Sequence, residues 1–260
     1  MKVTKIFKNA DNTAYTLIPD NFKITAAYDS TTIELTKDTD GRGGSGTLAD
    51  PFVWEIKDLP IGKPVTFTES GMTVDGYSVV STFTDTSGTE QTTETGTINA
   101  AKTALTGVFV NTYTRETGSL KIKKTVTVNG STPASDADYS LVDGTYKFRV
   151  KSAEGVVPTT EATVAVTLSK GKVTNAAFDG TAPSGIALTK DENEATLSEL
   201  PTGEYEIEEV IDSDAMTKKG IVLASPKGGK VTKEVKANQT DGIPTADFTN
   251  NKDIGSLEIK

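Results

Sequence analysis

Lysine, glutamate and asparagine recur at matched places in the two halves of this sequence, each where an alternating strand should point into a core. The opening MKVTKIF puts Val3 and Lys5 on one face, and GSLKIKKTV puts Leu120, Ile122 and Lys124 on one face. VFVNTYT brings Phe109 and Asn111 into phase, and DFTNNKD does the same for Phe248 and Asn250. Between the members of each pair an LPxG turn precedes a strand with a glutamate on its apolar side. Val65, Phe67 and Glu69 share that side in PVTFTES, as do Tyr205, Ile207 and Glu209 in GEYEIEEV. Side chains alternate with period 2 along a strand, so an amine, a carboxyl and a carboxamide should enter one core in each half. Such groups are costly to bury unless they act together.

The same parity selects among neighbours. It favours Lys124 over Lys123, Asn250 over Asn251, and Glu209 over Glu208, because Glu204, Glu206 and Glu208 share the polar face. A β-bulge would reverse any of these choices.

The elements that position these residues repeat in order. YTLIPDNFKIT (15–25) parallels YSLVDGTYKFR (139–149), VWEIKDLPIGKPVTFTE (53–69) parallels EATLSELPTGEYEIEE (194–209), and GVFVNTYT (107–114) parallels ADFTNNKD (246–253). An ordered internal repeat sets the domain plan. The first domain is expected over 1–116 and the second over 117–253. GSLEIK at the C-terminus echoes GSLKIK at 118–123, so residues 254–260 read as the start of a truncated third repeat. Met1 enters a strand at once, so the sequence is expected to be a piece of a tandem array. The second copy is longer mainly through residues 150–195, where VAVTLSKGKVTNAAF suggests an extra hairpin.

Composition agrees with an all-β chain. Threonine is the commonest residue, Val, Ile and Tyr recur between Gly and Asp/Asn turns, and no helical periodicity is sustained over three or four turns. Short strands with frequent turn signals in each half predict two tandem immunoglobulin-like β-sandwiches. The net charge of −9 offers no basic stripe for nucleic acid. No run of 18 apolar residues is present, so no membrane contact is expected from these residues. With no cysteine and no histidine, disulfides, thioesters, thiol nucleophiles, Cys/His zinc sites and serine–histidine triads are excluded, and no cofactor or metal is expected.

Several motifs mislead. LPTGE at 200–204 matches LPIGK at 59–63 and reads as a turn, not a sortase signal, and no YPK-type acceptor lysine is present. KDTDG at 37–41 supplies only two acidic positions of a calcium loop. GRGGSG at 41–46 lacks the Lys-Ser/Thr of a phosphate loop and reads as a glycine-rich hairpin loop. Trp54 lies one residue out of phase with Val53 and Glu55, which leaves an exposed aromatic and a core residue equally open.

The opening (L)xIxK strand, the glutamate-bearing strand after LPxG and the closing FxN strand together resemble the B-type repeat domains of collagen adhesins and the related domains of Gram-positive backbone pilins. In the first half Glu69 is followed by SGMTVDGY, similar to that family's spacing to Gly-Tyr; in the second, VIDSDAMTKKGIV after Glu209 departs from it. The resemblance implies a spontaneous isopeptide bond from Lys5 to Asn111 and from Lys124 to Asn250, with Glu69 and Glu209 as the assisting acids. Burial, with Phe22, Phe67 and Phe109 as candidate walls in the first half, would disfavour charge on lysine and glutamate alike. A neutral amine is a nucleophile, and a protonated carboxyl can polarise the carboxamide and relay protons. The implied protein is a stalk or shaft segment of a Gram-positive surface adhesin or pilus, extracellular and anchored to the cell wall through a part not present here. Its partners would be neighbouring repeats of the same chain. The alternative is a ligand-binding module contacting host protein or glycan, which an exposed aromatic platform near Trp54 or the 38–50 loop would favour. An enzyme acting on a separate substrate lacks a nucleophile–base set.

Overall fold

Alternation of buried and exposed side chains runs through nearly every strand of the structure, a computed structural model that describes residues 1–156, 158–210 and 219–255. The chain divides into two compact units, residues 1–115 and 116–260. Each is an immunoglobulin-like β-sandwich whose two sheets bury their inner faces against each other.

The first unit contains β1 (Lys2–Asn9), β2 (Lys23–Tyr28), β3 (Thr31–Thr36), β4 (Phe52–Glu55), β5 (Pro64–Ser70), β6 (Tyr77–Thr84), β7 (Glu90–Thr92), β8 (Thr95–Asn99) and β9 (Thr106–Arg115). One sheet has the order β4-β1-β9-β6-β7 and the other β3-β2-β5-β8. The first and last strands, β1 and β9, are parallel neighbours at the centre of their sheet. Val3, Lys5 and Phe7 point inward from β1, and Phe109, Asn111 and Tyr113 from β9. On the facing sheet Val65, Phe67 and Glu69 point inward from β5.

The second unit contains β10 (Thr117–Val128), helix α1 (Asp136–Val142), β11 (Gly144–Ser152), β12 (Glu161–Ser169), β13 (Lys172–Phe178), β14 (Ala187–Lys190), β15 (Glu194–Pro201), β16 (Gly203–Val210), β17 (Ile221–Ser225), β18 (Lys230–Val235) and β19 (Thr245–Lys252). Its sheets run β14-β15-β10-β19-β17 and β13-β12-β11-β16-β18. Here too the first and last strands, β10 and β19, are parallel neighbours. The plan β4-β1-β9-β6 facing β3-β2-β5-β8 is thus repeated as β15-β10-β19-β17 facing β12-β11-β16-β18. The extra length of the second unit goes into β13 and β14, which widen one sheet each. β12 and β13 form a hairpin across Lys170 and Gly171, both at positive φ, as a two-residue turn matched to strand twist requires.

One expectation needs correction, and one open choice is decided. GRGGSG is not a hairpin loop: β3 and β4, on either side of it, belong to different sheets, so the segment is a crossover between layers. Gly44 is the tight point, at φ +77 with its α-carbon against the Pro51 carbonyl, where a side chain would not fit. Trp54 is a core residue. Phe52, Trp54 and Ile56 face inward while Val53 and Glu55 face out, and the indole Nε1 donates to the Thr36 carbonyl at 3.1 Å. The aromatic that could have formed an exposed platform is therefore buried. A third repeat beginning near Gly255 falls mostly on residues outside those described.

The aligned segments YTLIPD and YSLVDG also part ways. The second forms α1, with Ser135 as N-cap accepting from the Asp138 amide, whereas the first is mostly irregular, with Ala14 in an isolated bridge to Lys8. Pro19 pushes Ile18 out of the helical region, where its counterpart Val142 is the last residue of α1. Both routes deliver an aromatic ring, Phe22 or Tyr146, to the same place in the core.

Candidate functional site

In each unit the inward lysine and asparagine come from adjacent strands of one sheet and the glutamate from the sheet opposite, so the three converge midway between layers. The registers are the same in both units. Lys5 pairs with Phe109 and Phe7 with Asn111; Lys124 pairs with Phe248 and Val126 with Asn250. All six residues are buried, with Lys5, Asn111 and Asn250 wholly inaccessible. Residues passed over by parity lie elsewhere: Glu208 pairs with Arg149, and Asn251 accepts from Thr127 and Gly130 near the surface.

In the second unit the triad is closed by three contacts. Lys124 Nζ donates to Asn250 Oδ1 at 2.6 Å and to Glu209 Oε2 at 2.9 Å, while Asn250 Nδ2 donates to Glu209 Oε1 at 2.7 Å. One carboxyl oxygen faces the amine and the other faces the amide nitrogen. The Tyr146 ring lies 4.5 Å from Nζ.

In the first unit Lys5 Nζ closes on Glu69 Oε1 as an ion pair, and Asn111 Nδ2 donates to that same oxygen at 2.9 Å. Glu69 Oε2 is buried without a hydrogen-bond partner. The Asn111 oxygen instead accepts from Ser81 Oγ at 2.9 Å. Phe7 and Phe22 flank the amine, their centroids 4.9 and 5.6 Å from Nζ. Of the apolar walls expected from sequence, Phe22 therefore touches the site directly, while Phe67 and Phe109 are fully buried neighbours in the same core.

Burial in these apolar surroundings sets the charge states. It pushes Lys5 down to about 8, against the opposing pull of Glu69, and Lys124 down to about 8 against that of Glu209. Burial also raises Glu69 above the usual carboxylate range, outweighing Lys5 and the hydrogen bonds that lower it. In the first unit, where lysine is lowered and glutamate raised, the proton between them is readily exchanged. The neutral amine beside a protonated acid becomes an accessible form of the pair.

Ser81 was not legible as a site residue. It lies in phase with Val79 and Phe83, so alternation allows it inside, but Val80 offers the opposite phase, and the β6–β9 register sets it directly across from Asn111. Among the described residues no cluster of three acidic side chains is placed to hold a metal ion.

The fold is that of tandem immunoglobulin-like β-sandwiches with parallel first and last strands. Residues 1–114 match a family described as a domain of unknown function (DUF5979). No curated protein matches the chain. Among solved structures it is similar to the T-13 major pilin of Streptococcus pyogenes, at 16% identity over 97% of both chains with a TM-score of 0.38. It is also similar to GBS52, the minor pilin of Streptococcus agalactiae, at 10% identity over 100% of this chain and 98% of that one, with a TM-score of 0.33. A third is the shaft pilin SpaA of Lactobacillus rhamnosus GG, at 13% identity over 99% of this chain and 98% of that one, with a TM-score of 0.25.

Proposed function

We propose that each unit cross-links itself, Lys5 to Asn111 and Lys124 to Asn250, and that the chain serves as a mechanically resistant stalk segment of a Gram-positive surface adhesin or pilus. The observation that carries this reading is the pair of buried Lys–Glu–Asn triads held at the same register in two units. A buried ion pair with an amide beside it is a poor source of stability, because desolvation offsets most of the attraction. Its repetition is better explained by reaction than by packing.

The neutral lysine Nζ attacks the asparagine Cγ; the glutamate passes the proton it took from the ammonium to Nδ2, then takes the second proton that Nζ sheds, and so ends protonated. Ammonia leaves, and a Cγ–Nζ amide remains. The event occurs once per unit, so it is self-modification and not turnover on a substrate. A closed loop of about 105 residues in the first unit stabilises by roughly 4–5 kcal/mol in the chain-entropy account.

The parallel arrangement of first and last strands gives the bond its mechanical meaning. Tension entering along β1 and leaving along β9 would pass from Lys5 to Asn111 through a covalent link, and the rest of the sandwich would carry no load. The neighbours along the line of force are further repeats of the same chain, and the setting is the extracellular face of the cell wall. With Trp54 in the core, a host-ligand platform at that place has no aromatic to build on. The direct experiment is the intact mass of the denatured chain. A deficit of two ammonias from the sequence mass supports both bonds, and the full sequence mass refutes them.

A further inference from the structure

The two triads differ at the asparagine oxygen. In the second unit Asn250 Oδ1 is held by the lysine that would attack it, and the residue across the sheet from Asn250 is Leu223, which has nothing to donate. In the first unit the residue across from Asn111 is Ser81, itself buried, and its hydroxyl holds Oδ1.

The orientation of the Asn111 amide follows from its neighbours. Nδ2 faces Glu69 Oε1, an acceptor when ionised. That contact fixes the nitrogen on the Glu69 side and leaves the oxygen toward Ser81.

We propose that Ser81 is a catalytic residue of the first unit, the donor that stabilises the Asn111 oxygen as it gains negative charge. This rests on the cross-linking reading of the site. As Lys5 Nζ bonds to Cγ, the carbonyl electron pair moves onto Oδ1, where the Ser81 O–H already points. The pair returns to form the carbonyl as the Cγ–Nδ2 bond breaks. Nδ2 leaves as ammonia with the proton that Glu69 received from lysine, the Glu69 carboxylate takes the second proton that Nζ sheds, and Ser81 keeps its own. A donor aimed in advance at a developing oxyanion in a dry site is worth about a hundredfold or more in rate.

The test uses the full chain made by cell-free translation, with samples quenched into denaturant at intervals and the cross-linked peptides of each unit quantified by mass. Ser81→Thr and Ser81→Val have the same shape and differ by the hydroxyl alone. Threonine is expected to cross-link the first unit near the wild-type rate and valine about a hundredfold more slowly. The second unit of the same molecules should react at an unchanged rate and report that the chain is intact. Equal first-unit rates for threonine and valine, whether both fast or both slow, overturn the role of Ser81. Absence of the Lys5–Asn111 peptide pair from the wild type would instead overturn the cross-linking reading itself.

Discussion

Asn111 lies diagonally across from Lys5, two positions beyond the residue that Lys5 pairs with on the neighbouring parallel strand, and Asn250 has the same relation to Lys124. In a parallel pair such a diagonal lets a long lysine reach along the strand direction toward a short asparagine, while the residue directly opposite remains free to pack. Phe109 and Phe248 occupy that opposite position in the two units. The geometry makes the reaction partners neighbours without giving up core at that point.

Removing either acid should restore one ammonia. Glu69→Ala is expected to leave the second-unit bond intact and abolish the first, and Glu209→Ala the reverse, as read from intact mass. Each variant unit should also lose the roughly 4–5 kcal/mol of the closed loop, giving a lower melting transition for that unit alone. A Glu69→Ala chain still two ammonias light would exclude the acid from the reaction.

The pH dependence follows from proton counting. The reactive form of the first pair holds one proton, on Glu69 and not on Lys5. Below the raised pKa of Glu69 both groups are protonated and no free amine exists. Above the Lys5 value of about 8 neither is protonated and no acid remains to release ammonia. The rate of first-unit cross-linking should therefore be bell-shaped, with an alkaline limb near pH 8. A rate that climbs steadily to pH 10 would show that the protonated acid is not needed.

Stretching should separate cross-linked from unlinked units. Pulled from its termini, the wild-type chain is expected to show no unfolding step from the body of either unit. Glu69→Ala should add one step of roughly 370 Å, from about 105 released residues at about 3.5 Å each. Full-length steps in the wild type would refute the load-bypass role.

Much of this was written in the local pattern. Period-2 phase marks Lys5, Glu69 and Asn111, like Lys124, Glu209 and Asn250, as inward-facing, because each follows an unambiguous apolar residue two places earlier, and the repeat sets them in the same order twice. The phase of Phe52–Ile56 was not so readable. Four of its five residues are apolar, and only the pairing of β4 with β1 turns Trp54 inward. The crossover character of GRGGSG depended on which sheet β3 and β4 would join, and loop composition does not carry that. Ser81 shares the phase of Val79 and Phe83, but Val80 leaves the inward face of that strand open in sequence, and its place opposite Asn111 needed the long-range pairing of β6 with β9.

The aromatic wall of the first site gives a last prediction. Phe22 is fully buried, and its ring lies beside the Lys5 amine and edge-on to Phe7 at 5.0 Å. It excludes the water that would otherwise favour the ammonium form. Phe22→Ala should cost about 3–5 kcal/mol through the cavity it leaves, and hydration of that cavity should move Lys5 back toward its ordinary value. First-unit cross-linking should then slow at neutral pH even in molecules that remain folded. Phe22→Leu restores much of the volume and keeps the site dry, so it should recover most of the rate. Time-resolved peptide mass analysis of the two variants, with the second unit as internal clock, distinguishes the cases. Equal rates for Phe22→Ala and wild type would show that desolvation by this ring does not activate the amine.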